Sequence, residues 1–521
     1  MRSLRRLVPA VAWLPRYDRR WLRGDVIAGI AVTALIVPKN LGYAGIAGIP
    51  LQNGLYAAAA GAIIYALFCT SRHISTGPSS SLAAVAGGAV IVTGVVGEDA
   101  AQLVAAIAVA TGVLFLLLAI FRLGWIARFL SKAVVTGFLA GVAVDVVIGE
   151  LPKLTGTEAE GDSAWRELAT WIGSLGDTSG TTLLVGAGAL AVILALRFLA
   201  PAVPGALVLV VGGLLASSLF DLGAHGVALV GDVPSGLPTP ELPDAALVRD
   251  HIGPIMIAAV ALLLIGFSQT AGDARAFATR HRYRIDVDQE SVAQGMANVG
   301  AGVLQGMPVS TSLSASSLNE SSGARSPMAS LVAGGLVVAT LLVLAPLFSD
   351  LPKAVLGAVI IDAVVFGMID VAELKRLRRV ARFDFWIAVA AILGVLSVGV
   401  LAGVVVGVAL SLAWLINVST SPPMPLLSHE EGVAVVRLDG GLFFATAEAL
   451  DDRIRELARR DGLAAVVLNL EGVNFIDSQG AAKLAELREL LERDGIDLRL
   501  DRVKPQVRSV LEADGFALSS A

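Results

Sequence analysis

Apolar residues fill most of the first 420 positions in long runs, which brief polar or Gly/Pro joints separate. A membrane-spanning helix needs roughly 20 apolar residues, and about fourteen segments of this kind can be counted. The clearest are 25–44, 54–70, 101–121, 127–150, 182–199, 204–222, 254–272, 328–348, 354–370 and 385–416, the last of which is long enough for two passes. The pattern predicts an all-α membrane domain over 25–420, preceded by a lead-in over 1–24.

Two stretches, 78–95 and 290–322, depart from this uniform hydrophobicity because they are rich in Gly, Ser and Pro. Residues of these types interrupt helices or end them early. We therefore expect interrupted or half-length helices at both places.

After residue 420 the pattern changes to short strands that alternate with amphipathic helices. The segments 432–445, 463–476 and 496–503 read as strands, and 478–494 reads as a helix with Leu484, Leu487 and Leu491 on one face. Residues 428–521 contain 18 acidic and 12 basic side chains, as in a water-exposed domain. The sequence predicts a small α/β domain over 428–521.

Composition excludes a soluble protein for the larger part of the chain. Of the 521 residues 55% are apolar and 16% charged, and the mean hydropathy is +0.76, too apolar for a soluble chain of this length. The lone Cys69 excludes a disulfide framework, and the five histidines never fall at metal-ligand spacing. We expect no metal site, no cofactor and no nucleic-acid partner, and no catalytic constellation that would make the chain an enzyme.

Basic residues set the orientation, because short cytoplasmic loops hold an excess of Lys and Arg. Threading the chain from a cytoplasmic N-terminus places most of them inside, and the acidic loops 151–181 and 221–253 outside. An even number of passes then returns the chain to the cytoplasm. The sequence predicts a multi-pass inner-membrane protein with both termini cytoplasmic.

Two hydroxyl-rich segments, 75–82 and 306–314, have matching patterns about 230 residues apart. In each, a proline (Pro78 or Pro308) is expected at the start of a helix, followed by a cluster of hydroxyl groups. Paired helix ends of this kind can bind an anion through free N–H groups and the helix dipole. The alternative is that small residues at these places only allow close helix packing.

Three charges lie deep in the predicted spans, Lys39, Asp145 and Asp362. A buried charge in a membrane helix is costly and therefore a functional candidate. Lys39 is a candidate anion ligand, or alternatively a snorkelling residue or the ion-pair partner of one of the two aspartates. Asp145 and Asp362 are candidates for cation coupling or for such an ion pair.

Several long motifs together resemble the SulP sulfate permease family, whose animal members form solute carrier family 26. They are DVIAGIAVTALIVPKNLGYAGIAGIPLQNGLYAA at 25–58, TSRHISTGPSSSLAAVAG at 70–87, LGWIARFLSKAVVTGFLAG at 123–141, QESVAQGMANVGAGVLQGMPVSTSLSASSLNESSGARSP at 289–327 and LPKAVLGAVIIDA at 351–363. The resemblance implies 14 transmembrane segments in two inverted seven-segment repeats, about 25–222 and 254–417, a core domain that moves against a gate domain, and a homodimer.

The resemblance also implies where substrate binds, between the ends of the third and tenth helices and against residues of the first and eighth. Carried over by position, the substrate-binding residues are Lys39, Asn40, Tyr43, Ser79, Ser80, Ser81, Gln269, Ser310, Thr311, Ser312, Leu313 and Ser314.

The tail resembles the STAS domain that closes most family members, with the signature NLEGVNFIDSQG at 469–480. Related bacterial proteins are phosphorylated at the position of Ser478, which makes this serine a regulatory candidate and the domain a candidate docking site for a cytoplasmic protein. Alternatively, Asp477 and Ser478 only cap the following helix.

Three positions depart from the family pattern. Many relatives have Gln at Lys39 and an acid at Gln269, and many animal members have Arg at Ala315. The acid is linked to proton or sodium coupling, so its replacement places such coupling in doubt. We hypothesise that Lys39 supplies the positive charge that Arg provides elsewhere.

The predicted function is secondary active transport of a small anion by alternating access, with sulfate first and bicarbonate, chloride or a C4-dicarboxylate as alternatives within the family. A nucleobase permease is a more distant alternative, disfavoured by Gln269 and by the lack of an acid near it. A signalling membrane protein with vestigial transport is another.

Overall fold

The computed structural model describes residues 8–122, 132–159, 161, 163–201, 203–231, 233–459 and 463–516. Part of the predicted lead-in, part of the motif at 123–141 and the last residues of the predicted tail domain lie outside these ranges. The chain divides into two compact units, one ending at Ala409 and the next beginning at Leu410.

Fourteen helices in the described ranges account for the predicted membrane domain. Eleven follow the predicted apolar runs, and the other three lie in or overlap the two Gly-, Ser- and Pro-rich stretches. The fourteen are α1 (Leu22–Ile46), α2 (Leu51–Phe68), α3 (Ser80–Thr93), α4 (Glu98–Ile120), α5 (Lys132–Thr155), α6 (Gly180–Leu199), α7 (Gly205–Phe220), α8 (Ile252–Arg280), α9 (Val287–Val303), α10 (Leu313–Ser321), α11 (Met328–Val343), α12 (Lys353–Met368), α13 (Arg382–Val398) and α14 (Val400–Thr420). Shorter helices cover Ala10–Trp13, Ala164–Gly173, Ala245–Asp250 and Val371–Val380. Within the described chain, seven helical stretches are long and apolar enough to cross a membrane, by length and composition.

The membrane helices form two bundles, in agreement with the expected core and gate. In the core, α9 packs against α2 and α4, and α11 packs against α1 and α2. In the gate, α5 packs against α12 and α13, and α12 also contacts α6. Each bundle therefore takes helices from both halves of the sequence, as two intertwined repeats require.

Helix α9 corrects the prediction for 290–322. Residues 290–303 belong to a continuous helix, and only α10 is half-length. The glycines of α9 are packing positions, because a Cβ on Gly302 would lie 2.6 Å from the Ala105 carbonyl oxygen of α4, and one on Gly300 would lie 2.0 Å from Ile64 of α2. Small residues in membrane helices allow such close approach without breaking the helix.

The two half-length helices, α3 and α10, each follow a two-residue strand. Strand β1 (Thr76–Gly77) precedes α3 and strand β2 (Ser310–Thr311) precedes α10. The expected helix-start position of proline is wrong at Pro308, which precedes β2, while Pro78 lies just before the N-cap Ser79. Both prolines occupy extended segments, where the missing N–H is tolerated.

The second unit contains a four-stranded sheet in the order β3 (Leu426–Glu430), β4 (Val433–Arg437), β5 (Ala465–Asn469) and β6 (Asp497–Asp501). The pair β3–β4 is antiparallel and the other pairs are parallel. Helices α15 (Ala447–Ala458), α16 (Ser478–Arg493) and α17 (Pro505–Ala513) complete the fold. Leu484, Leu487 and Leu491 of α16 are fully buried, as the leucine pattern predicts.

Candidate anion-binding site

The two hydroxyl-rich segments meet at the N-terminal ends of α3 and α10. Strands β1 and β2 pair antiparallel, with Thr76 opposite Thr311 and Gly77 opposite Ser310. The segment before β1 also contacts α10, because the Ser75 amide donates to Ser316 Oγ at 2.9 Å and the Ser312 amide donates to the Ser75 carbonyl at 3.0 Å. The structure therefore brings the two helix ends together.

Helix α9 holds the entry to β2 in place through two buried amide side chains, those of Asn298 and Gln294. Asn298 Nδ2 donates to the Val309 carbonyl at 2.9 Å, and the Val309 amide donates to Asn298 Oδ1 at 3.0 Å. Gln294 Nε2 donates to the same carbonyl at 2.5 Å. These bonds satisfy the backbone of an irregular segment inside the membrane domain, which would otherwise carry unpaired polar groups.

The first turns of α3 and α10 leave amide groups open. No side chain caps α3 at its N-cap Ser79. Helix α10 is capped only by Ser312 Oγ, which lies 3.4 Å from the Ala315 amide. The N–H groups of a helix's first turn have no partner inside the helix and attract anions.

A small hollow of about 30 Å³ lies at these helix ends. Its lining includes six of the predicted substrate-binding residues, which are Lys39, Asn40, Tyr43, Ser79, Ser312 and Ser314. Within the described residues, Asn40 Nδ2 and Thr76 Oγ1 are buried and have no hydrogen-bond partner. Buried polar atoms are nearly always bonded, so these two unpaired atoms, on residues that line the hollow, are candidate contacts for a bound ion.

Six other predicted residues lie outside the lining of the hollow. They are Ser80, Ser81, Gln269, Ser310, Thr311 and Leu313. Ser81 Oγ lies 3.1 Å from Ser79 Oγ, which does line the hollow. Gln269 Oε1 and Ser310 Oγ are buried without a partner among the described residues, and the side chain of Leu313 is largely exposed.

Asp273 is the residue of this region that the sequence analysis missed. It lies one turn after Gln269 on α8, and Thr311 Oγ1 donates to its carboxylate at 2.9 Å. The expected lack of an acid near Gln269 is therefore wrong. An acidic residue inside a membrane span is itself a signal of function. Asp273, however, directly follows the predicted span 254–272 and precedes the basic end of α8, so the sequence pattern assigns it to the cytoplasmic end of the helix.

The two predicted deep aspartates have different surroundings. Asp362 of α12 forms a bidentate ion pair with Arg197 of α6, with both N–O distances 2.6 Å. Asp145 forms no ion pair with any residue that the structure describes. Lys39 pairs with neither aspartate, so the suggested ion pair of Lys39 is not formed.

A second cavity of about 390 Å³ adjoins the hollow between the core and gate bundles. Leu35, Lys39 and Ser314 line both spaces. The second cavity is also lined by Arg197 and Asp362 of the gate. Lys39 therefore lies where the small hollow meets a larger path.

Ser478, in the second unit, is the first residue of α16 and is exposed. The cap of this helix is Asp477, whose carboxylate accepts from the Gly480 amide at 2.8 Å and from the Phe444 amide at 3.1 Å. The regulatory role of Ser478 stays a prediction.

Comparison of the sequence with known families and proteins gives consistent matches. Residues 22–391 match the Sulfate permease family, and residues 424–519 match the STAS domain. A probable sulfate transporter of Mycobacterium tuberculosis is 34% identical over 97% of this chain and 93% of its own length. The chloroplastic sulfate transporter 4.1 of Arabidopsis thaliana is 27% identical over 98% of this chain and 79% of its own.

Solved structures share the fold. The murine anion transporter Slc26a9 in an inward-facing state has a TM-score of 0.86 at 22% identity, covering 98% of this chain and 90% of its own. The transmembrane domain of the cyanobacterial bicarbonate transporter BicA has a TM-score of 0.63 at 20% identity, covering 76% of this chain and 98% of its own.

Proposed function

Because the chain belongs to the sulfate permease family, we propose that it carries a small anion across the membrane by secondary active transport. The anion binds between the N-terminal ends of α3 and α10, and sulfate is the first candidate. The names of the plant and mycobacterial relatives support sulfate. The chain is not an enzyme in this proposal, since the site only binds and releases its substrate.

One observation carries this proposal: unpaired hydrogen-bond donors converge on a hollow between two helix ends. The open first-turn amides of both helices and the buried Asn40 Nδ2 are donors. The hydroxyl groups of Ser79, Ser312 and Ser314 are further donors around the same space. Donors of this kind replace the hydration shell of a small anion without burying many full charges.

Lys39 adds the only full positive charge among the described residues that line the hollow. Ala315, where many animal members of the family have Arg, lines the same space. A lysine from α1 can therefore supply the charge that an arginine of α10 supplies in those relatives. The shared lining supports the hypothesis that Lys39 compensates for Ala315.

The size of the hollow favours a small ion over a nucleobase. A single water needs about 10–15 Å³ of such space, so about 30 Å³ accommodates a small anion stripped of water. A purine or uracil ring needs far more room. Sulfate, bicarbonate and chloride are compatible with this size, and a C4-dicarboxylate would have to extend into the second cavity.

In the proposed cycle the core moves against the gate to expose the hollow to alternate sides. The second cavity, between the bundles, is the path to the cytoplasm in the conformation described here. Both termini are cytoplasmic, the chain resides in the inner membrane as a homodimer, and the STAS domain offers Ser478 as a phosphorylation site and a surface for a cytoplasmic protein.

Counterflow in proteoliposomes tests the proposal. Vesicles loaded with unlabelled sulfate, bicarbonate, fumarate, chloride or uracil take up the matching labelled solute, with and without a proton or sodium gradient. We expect accumulation of labelled sulfate, blocked by competing small anions and unaffected by uracil. Failure to move any anion of the panel would instead favour the signalling protein with vestigial transport.

A further inference from the structure

A third cavity, lined by basic residues, lies at the lead-in of the chain and shares no lining residue with the hollow or the second cavity. It has a volume of about 380 Å³ and is lined by three separate parts of the sequence. The lead-in supplies Pro9, Ala12, Trp13, Arg16, Tyr17 and Trp21, the loop after α2 supplies Thr70 and Arg72, and the loop before α11 supplies Arg325–Pro327. We propose that this cavity, which we call the lead-in pocket, binds a phosphate monoester group, such as that of an anionic lipid headgroup or a free phosphate compound.

The charge of the lead-in pocket is the first argument. Arg16, Arg72 and Arg325 line it, and no acidic residue is part of the lining that the structure describes. These guanidinium groups form no ion pair with any described residue, and that of Arg72 instead lies 5.3 Å from the centre of the Tyr283 ring. Guanidinium groups bind phosphate with charge-assisted, often bidentate, hydrogen bonds.

The other polar side chains of the wall either donate hydrogen bonds to carboxylates of the protein or have an N–H group without a described partner. Two carboxylates behind the wall, those of Asp25 and Glu290, accept hydrogen bonds from the hydroxyl groups of the wall residues. Tyr17 OH donates to Asp25 at 2.9 Å, Ser326 Oγ donates to Asp25 at 2.7 Å, and Thr70 Oγ1 donates to Glu290 at 2.5 Å. Trp13 Nε1 is buried without a partner in the described part of the chain. The wall therefore presents three cations without an ion-pair partner and one N–H donor without a hydrogen-bond partner among the described residues, which together call for an anionic acceptor.

Asp25 also fixes the geometry of the pocket before a ligand arrives. It is fully buried and bonds the lead-in through Tyr17 and the loop before α11 through the Arg325 amide at 2.7 Å. Asp25 therefore links the two walls directly. A preformed site loses little conformational entropy when it binds.

The position of the pocket favours the membrane surface. Trp13, Tyr17 and Trp21 are residue types enriched where headgroups meet the hydrocarbon, and the proposed topology places all three arginines on the cytoplasmic side. Basic pockets between membrane helices on that side bind phosphorylated headgroups. A volume of about 380 Å³ is in the range of small-molecule sites and accommodates one such headgroup.

Isothermal titration calorimetry on the purified full chain tests this proposal. The probes are dioctanoyl phosphatidate, dioctanoyl phosphatidylcholine and inorganic phosphate. We expect phosphatidate to bind and phosphatidylcholine not to. In the triple variant Arg16→Gln/Arg72→Gln/Arg325→Gln, affinity for phosphatidate should fall on the order of a hundredfold, and about fivefold in each single variant.

The matched control is Arg19→Gln/Arg20→Gln/Arg23→Gln, which removes three exposed arginines of the same segment that do not line the pocket. Binding of phosphatidate should persist in this control, and anion counterflow should persist in both triple variants. If inorganic phosphate alone shows the same arginine dependence, the pocket serves a free phosphate compound. The proposal is overturned if no probe depends on Arg16, Arg72 and Arg325, or if the control weakens binding equally.

Discussion

A cation in a membrane helix is costly unless a nearby group balances its charge, so the surroundings of Lys39 indicate its role. Lys39 lines the hollow, and the acid of the neighbouring gate that could neutralise it, Asp362, is already bonded to Arg197. The lysine charge is therefore available for a transported anion. The same charge would be lost in relatives with Gln at this position.

Replacing Lys39 with Gln should weaken anion binding. A unit charge about 4 Å away contributes roughly 4 kcal/mol at an effective dielectric constant of 20, and part of this is offset by desolvation. We expect the apparent affinity for sulfate to fall roughly tenfold to a hundredfold, while Lys39→Arg retains most of it. Concentration dependence of counterflow measures the change.

The control for Lys39 is Lys353→Gln, because Lys353 is exposed at the start of α12 and outside the hollow. That variant should transport with unchanged affinity. An unaltered affinity in Lys39→Gln would refute the assignment of Lys39 as the anion's charge partner.

Asp273 leads to a second prediction at the residue scale. Its carboxylate accepts from Thr311 in β2, so protonation would change a contact beside the candidate site. If uptake is coupled to protons through this carboxylate, Asp273→Asn should abolish gradient-driven uptake and leave anion exchange near its normal rate. Exchange needs no net proton movement, and therefore separates coupling from binding.

The comparison for Asp273 is Asp250→Asn, an exposed aspartate near the start of α8. Both activities should survive in that variant. Equal loss of uptake and exchange in Asp273→Asn would point to a structural role, and no loss of either would exclude coupling through this residue.

Residues within a continuous motif could be placed from the sequence, whereas partners across the fold could not. The serines before α3 and α10 could be identified because they lie in two similar sequence segments. Strands β1 and β2, which join these segments, pair as two equivalent elements of a repeat would. The bond from Thr311 to Asp273 joins positions 38 apart in the chain, and no local pattern encodes it. The choice of Arg197 over Lys39 as partner of Asp362 likewise depends on which helices pack together.

At the scale of elements, the half-helices keep their positions because complete helices bind the segments around them. Glu290 of α9 is the clearest case. Its buried carboxylate accepts from the amides of Thr70 and Ser71, both at 2.8 Å, and from their hydroxyl groups. Tyr65 OH also donates to it. This one side chain therefore fixes the end of α2 and the start of the segment that leads to β1.

Replacing Glu290 with Gln should destabilise this junction. The amide accepts through one oxygen only and places an NH₂ group against donors, so several buried donors lose their acceptor. We expect a loss of about 3 kcal/mol in folding free energy and a melting temperature lower by several degrees in detergent. Asp288→Asn, two residues earlier on the same helix, should melt close to the wild type. Equal melting temperatures for Glu290→Gln and the wild type would contradict this role.

The helices themselves were largely predictable, and the exceptions have physical causes. Apolar runs set the positions of the spans, and period-3.6 leucines set α16. Glycine misleads in α9, because the sequence does not reveal whether a glycine breaks a helix or brings a neighbouring helix close. Strand β3 was missed because four of its five residues are exposed, so it lacks the apolar alternation that marks a half-buried strand.

At the scale of the whole membrane domain, the second cavity lies between the core and gate bundles, and under the proposed topology it opens to the cytoplasm. The cavity is bordered by α1 and α10 of the core and by α6, α7 and α12 of the gate. Relative movement of the bundles would open or close it while the paired helix ends stay together. In the conformation described here, Ser314 faces this space and is exposed.

Cysteine accessibility tests this direction. Cys69 is the only cysteine and is buried, so Cys69→Ala provides a background in which Ser314→Cys is the sole thiol. A membrane-impermeant thiol reagent should modify this thiol from the cytoplasmic side, in inside-out vesicles, and saturating sulfate should slow the modification because Ser314 lines the hollow.

The matched variant is Ser235→Cys, exposed in the loop predicted to be external. It should react only in right-side-out vesicles and without sulfate protection. Modification of Ser314→Cys from the outer side alone would reverse the assigned direction of the cavity, because a thiol in a path that opens to the cytoplasm cannot be reached from outside without a change of conformation.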